Sequence, residues 1–82
     1  MIEKEELREA LEAELQQVRY RQSILDIIED KLRDMKWLAE QAAAEDISPE
    51  EREVVNAKLN EMASQVKALD EQSRAIEYGK IL

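Results

Sequence analysis

Twenty carboxylates, four serines and one basic band around a tyrosine are the residues whose types and spacing offer chemistry. Paired carboxylates work as acid and base, or hold a divalent cation, when a fold makes them converge. Here they are spread around a helical pattern, and no glycine-containing calcium loop accompanies them, so they read as a solvated acidic surface. Ser23, Ser48, Ser64 and Ser73 would need a base to become nucleophiles. The chain contains no histidine to serve as one, and no cysteine to offer a thiolate or a zinc ligand. Arg19-Tyr20-Arg21 with Lys31, Arg33 and Lys36 resembles a platform on which RNA bases stack. Asp26, Glu29, Asp30 and Asp34 lie at helical spacing among these cations and neutralise them, and a formal charge of −8 opposes phosphate. The residues therefore predict a protein that is not an enzyme, holds no cofactor or metal and binds no nucleic acid.

The elements that carry these side chains are legible from one interruption, Glu45-Asp46-Ile47-Ser48-Pro49-Glu50-Glu51. Ser48 suits an N-cap and Pro49 the first helical position, where a missing N–H costs nothing; Glu51 completes an S-x-x-E capping box. The pattern predicts a helix over about 2–45, a turn at 46–48 and a second helix over about 49–78. Gly79, the sole glycine, is expected to close that helix as a left-handed C-cap. So short a link folds the helices back on each other. The expectation is one all-α domain over residues 1–82, a long antiparallel two-helix hairpin of coiled-coil type that assembles into a helical bundle.

Apolar residues at three- and four-residue steps give each helix a stripe. In the first helix the stripe comprises Leu7, Leu11, Val18, Leu25, Ile28, Leu32, Met35, Ala39 and Ala42. In the second it comprises Val55, Leu59, Met62, Val66, Leu69 and Ile76, interrupted by Ser73. Folding at the Ile47–Ser48 corner sets Met35 against Leu59, Leu32 against Met62, Ile28 against Val66 and Leu25 against Leu69. Arg21 then falls opposite Ser73, and a paired polar layer of this kind fixes register in coiled coils. Tyr20, Ile24, Ile27 and Leu38 form a second apolar face roughly 100° around the first helix, which one partner helix is too narrow to cover. Leu7, Leu11 and Leu15 extend past the expected end of the second helix, and Trp37 lies on neither stripe. These eight residues, Tyr20, Ile24, Ile27, Leu38, Trp37, Leu7, Leu11 and Leu15, are the candidate interaction face.

Two helices of this length make one seam and a thin core, so the partners expected are copies of the chain, as a dimer or tetramer, or a helix from another protein. No run of about 18 apolar residues is present to span a bilayer. The start, Met1-Ile2-Glu3-Lys4-Glu5-Glu6, lacks the apolar core of a signal peptide, which fits a cytoplasmic protein or one exported without a cleaved signal. Three functions follow: a structural assembly module, a small adaptor or chaperone-like hairpin that captures a partner helix, or an acidic tip, Glu45, Asp46, Glu50 and Glu51, that enters an enzyme channel.

The segment Leu32-Arg33-Asp34-Met35-Lys36-Trp37-Leu38-Ala39-Glu40-Gln41-Ala42-Ala43, followed by Ile47-Ser48 and Arg52, resembles the N-terminal core of bacterial flagellins. The likeness continues through Leu59-Asn60-Glu61-Met62, Val66 and Leu69 to Gly79-Lys80-Ile81-Leu82, and so spans residues 25–82. It implies paired core helices of a filament subunit that pack against a third helix from the C-terminal part of such a chain. That third helix would cover the Tyr20, Ile24, Ile27 and Leu38 face. Asp34 and Trp37 stand where the family carries an arginine and a glutamate for contact with the vertebrate flagellin receptor, so receptor agonism is not implied.

Overall fold

The computed structural model describes the backbone of residues 3–81 and the side chains of residues 3–76. It contains two helices, α1 (Lys4–Ala42) and α2 (Pro49–Ile81), packed against each other as an all-α hairpin. The Cα extents of 69 × 17 × 12 Å are those of a single layer of two helices. The radius of gyration is 19.6 Å, well above the ~12 Å of a compact domain this long. Each helix therefore has one neighbour, and most of its circumference faces water.

Local chemistry sets where the helices start and stop. At the start of α1, Glu3 holds an extended backbone, and its carbonyl accepts from the Leu7 amide at 3.0 Å. Its side chain makes no capping bond; Glu5 and Glu6 in the first turn oppose the positive end of the helix dipole. The expected start at Ile2 lies outside the described residues. At the other end α1 stops at Ala42, three residues short of the expected Glu45. The Ala43 and Ala44 amides turn back to the carbonyls of Ala39 and Gln41, which tightens the last turn. No basic residue sits in that last turn, but Arg52 of α2 reaches across, and its Nε donates to the Ala42 carbonyl at 3.1 Å. A cation from the opposite helix thus caps α1 where its dipole is negative.

α2 begins as the sequence predicts. The Ser48 hydroxyl accepts from the Glu51 amide at 3.1 Å, while the Ser48 carbonyl accepts the first helical bond from Arg52 at 2.9 Å. The far end differs: α2 continues through Gly79 to Ile81 instead of closing near Tyr78. A glycine in a helix costs only about 1 kcal/mol relative to alanine, which the surrounding helical hydrogen bonds offset. The overhang of α1 beyond α2 shrinks accordingly, to about 13 Å at 1.5 Å per residue.

The expected register finds support in three hydrogen bonds between the helices. It sets Ala42 against Arg52, Lys31 against Ala63 and Tyr20 against Arg74. The observed pairs are Arg52 with Ala42, Lys31 with Gln65 and Tyr20 with Gln72, each within two positions of that alignment.

The face that α1 turns toward α2 is not the expected one. Its buried and half-buried positions are Arg21, Ile24, Ile28, Lys31, Met35, Leu38 and Ala42, an unbroken alternation of three- and four-residue steps. Ile24, expected on the outer face, is 3% exposed and is the one fully buried apolar side chain among the described residues. Leu38, also expected outside, is half-buried in the same seam. Leu25 and Leu32, expected inside, are 39% and 50% exposed, and Val18 is exposed as well. The physical reason lies in Arg21 and Lys31, which make the true seam look broken in sequence. Long cationic side chains lay their methylenes along an apolar seam and keep the charge at its edge, so two such positions are compatible with burial. Lys31 does this visibly, its Nζ donating to Gln65 Oε1 at 2.9 Å.

The α2 face matches the expectation. Val55, Leu59, Met62, Val66, Leu69 and Ile76 are half-buried, and Ser73 is 2% exposed. Its neighbour Gln72 donates to the Tyr20 hydroxyl at 2.7 Å, which brings Ser73 level with the turn of α1 that holds Arg21 and Ile24.

Candidate interaction surfaces

The charged residues form a surface of local pairs. Arg33 donates to Glu29 at 2.6 Å and lies 3.5 Å from Asp30; Arg8 with Glu12 and Arg74 with Asp70 repeat the four-residue spacing. These exposed pairs contribute a few tenths of a kcal/mol each and organise no site. Among the described residues no group of three metal-ligating side chains converges, and no helix is long and apolar enough to cross a membrane.

The apolar surface is more distinctive. Leu7, Leu11, Val18, Leu25 and Leu32 recur along α1 at spacings of four and seven and are all exposed. At about 100° per residue they form one line about 100° around from the seam with α2. A shallow groove follows the start of this line, with Leu7 and Leu11 in its floor, Leu15 beside them and Lys4, Arg8 and Glu12 along its edges. Leu15 is exposed because it faces away from α2, not because α2 has ended. Of the expected interaction face, Leu7, Leu11 and Leu15 thus stand together on one side of α1. Tyr20 and Ile27 are exposed on the other flank, the Tyr20 hydroxyl being held by Gln72. Ile24 belongs to the hairpin's own seam and leaves the set, while Leu38 is half-buried there. Leu25 and Leu32 join the set; the seven-residue spacing from Leu11 through Val18 is the signal in the sequence that links them.

Trp37 occupies a second surface at the hairpin tip. It is 59% exposed and lines an open groove of ≈ 460 Å³ together with Leu38, Ile47, Val54, Glu50 and Glu51. Val54 is the most exposed large apolar side chain described, at 68%. Sequence reading left Trp37 without neighbours because Ile47 and Val54 reach it only after the chain has turned.

No family model matches this chain, and neither curated proteins nor solved structures give a significant match.

Proposed function

We propose that this hairpin is a non-enzymatic assembly module that self-associates, or packs against a further helix, through the exposed apolar line of α1. One observation carries the reading: Leu7, Leu11, Val18, Leu25 and Leu32 leave an apolar line about 38 Å long in water, while the intramolecular seam buries one apolar side chain, Ile24, among the described residues. An exposed apolar side chain at every second turn along one face is the pattern that a partner helix covers. A second helix laid along the line would convert the thin two-helix layer into a bundle, the usual way such a face is satisfied.

The flagellin-like sequence between residues 25 and 82 supports a structural role of that kind, in which a third helix completes the packing. With Ile24 and Leu38 engaged by α2, that helix would lie over Leu25 and Leu32. A peptide corresponding to a flagellin C-terminal core helix is then expected to bind there and to compete with self-association, with the negative heat-capacity change of apolar burial. A folded, dissociated hairpin that ignores the peptide would remove the flagellin-like reading and leave self-association standing.

Light scattering at micromolar concentration tests self-association directly. The expected mass is that of a dimer or larger, and a double variant with Leu25→Glu and Leu32→Glu is expected to be monomeric with its helical circular dichroism retained. A wild-type chain that is monomeric and cooperatively folded overturns the proposal.

A further inference from the structure

The tip groove lies on a different side of α1 from the apolar line, and self-association along that line leaves it open. Its floor is apolar, from Trp37, Leu38, Ile47 and Val54, and its rim carries Glu50 and Glu51. The charge around it is mostly negative. Residues 36–58 contain Glu40, Glu45, Asp46, Glu50, Glu51 and Glu53 against Lys36, Arg52 and Lys58, and the Arg52 Nε is committed to the Ala42 carbonyl. Glu50 and Glu51 stand in the first turn of α2, at the positive end of the helix dipole. An occupant must therefore bring an apolar anchor for the floor and cations for the rim. A second copy of the chain suits this poorly, because its own exposed apolar line is bordered by a carboxylate as well as cations, Glu12 beside Lys4 and Arg8.

We propose that the tip groove docks a basic segment of a partner protein, in which apolar anchor side chains are flanked by lysine or arginine. Trp37 is the anchor on the hairpin side. A large aromatic ring exposed beside a concave apolar surface supplies much contact area with little rotamer entropy to lose, which is why tryptophan is enriched where binding energy concentrates. The acidic rim selects the basic partner and speeds its approach, and the apolar floor holds it once docked.

Trp37 is the chain's only tryptophan and reports the event itself. The probe is an amphipathic helical peptide with leucine at three- and four-residue steps and lysine elsewhere. Its saturable binding is expected to shift Trp37 emission to the blue. By anisotropy of the labelled peptide, Val54→Asp and Trp37→Ala are each expected to weaken binding at least ~10-fold, the scale of one well-placed hot-spot contact. The pair Glu50→Gln and Glu51→Gln is expected to weaken it several-fold and to flatten its salt dependence. Ser64→Gln, exposed on α2 and outside both surfaces, should leave it unchanged. A peptide with alanine replacing every leucine must bind far more weakly; equal binding would mean general attraction to an acidic protein and would overturn the proposal. Equal binding of a peptide with glutamate replacing lysine would overturn it too. So would a blue shift that grows with protein concentration alone, which would assign the groove to a second copy.

Discussion

Ile24 and Leu32 lie eight residues apart on α1, and truncating each to alanine separates the observed seam from the one expected from sequence. Ile24 is 3% exposed, so Ile24→Ala removes buried methylenes and leaves a void against α2. Such core truncations cost about 2–5 kcal/mol, and in a two-helix layer that can close around the gap the lower half applies, about 2–3 kcal/mol. Leu32 is 50% exposed. Full burial of a leucine side chain is worth about 1.5–3 kcal/mol, so the half buried in the isolated hairpin gives about 1 kcal/mol for Leu32→Ala. The difference, at least about 1 kcal/mol, corresponds to about 4–8 °C in melting temperature for a domain of this length. Urea denaturation followed by circular dichroism measures both, at a concentration low enough for light scattering to read a monomer. Repeating it at high concentration adds a second expectation. If Leu32 lies in the assembly interface, its truncation cost rises with protomer concentration, whereas the intramolecular cost of Ile24→Ala does not. A Leu32→Ala cost equal to or above that of Ile24→Ala in the dilute monomer would refute the seam described here.

Two further variants probe the helix ends. Ser48→Ala removes the acceptor for the Glu51 amide and should lower stability by about 1 kcal/mol in a thermal melt, while Ser48→Asp keeps an acceptor and should stay near wild type. Gly79→Ala should raise stability by up to about 1 kcal/mol because α2 runs through that position; a loss would instead indicate a left-handed cap there.

The break between the helices was legible because it is local. Ser48, Pro49 and Glu51 satisfy the first amides of α2 with their own atoms, so three adjacent residue types suffice to place its start. The seam of α2 was legible for a related reason: it carries a single apolar stripe, Val55 through Ile76, and a helix with one stripe has one way to face its partner. The interruption at Ser73 did not mislead, as the small side chain is buried in the same stripe.

α1 carries two stripes, and its sequence does not say which one meets α2. Leu25 and Leu32 make the more apolar line, whereas the line through Ile24, Ile28, Met35 and Leu38 is interrupted by Arg21 and Lys31. Tertiary structure chose the second. Beside that line Lys31 meets Gln65 and Tyr20 meets Gln72, so polar groups at the edge of the seam find partners on α2, and the Lys31 methylenes help cover it. Those partners lie more than thirty residues away, and no spacing rule within α1 registers them. The tip groove has the same origin. Trp37 and Val54 become neighbours only because Arg52 and Ser48 fix how α2 leaves the turn, and that geometry is a property of the folded pair rather than of either helix.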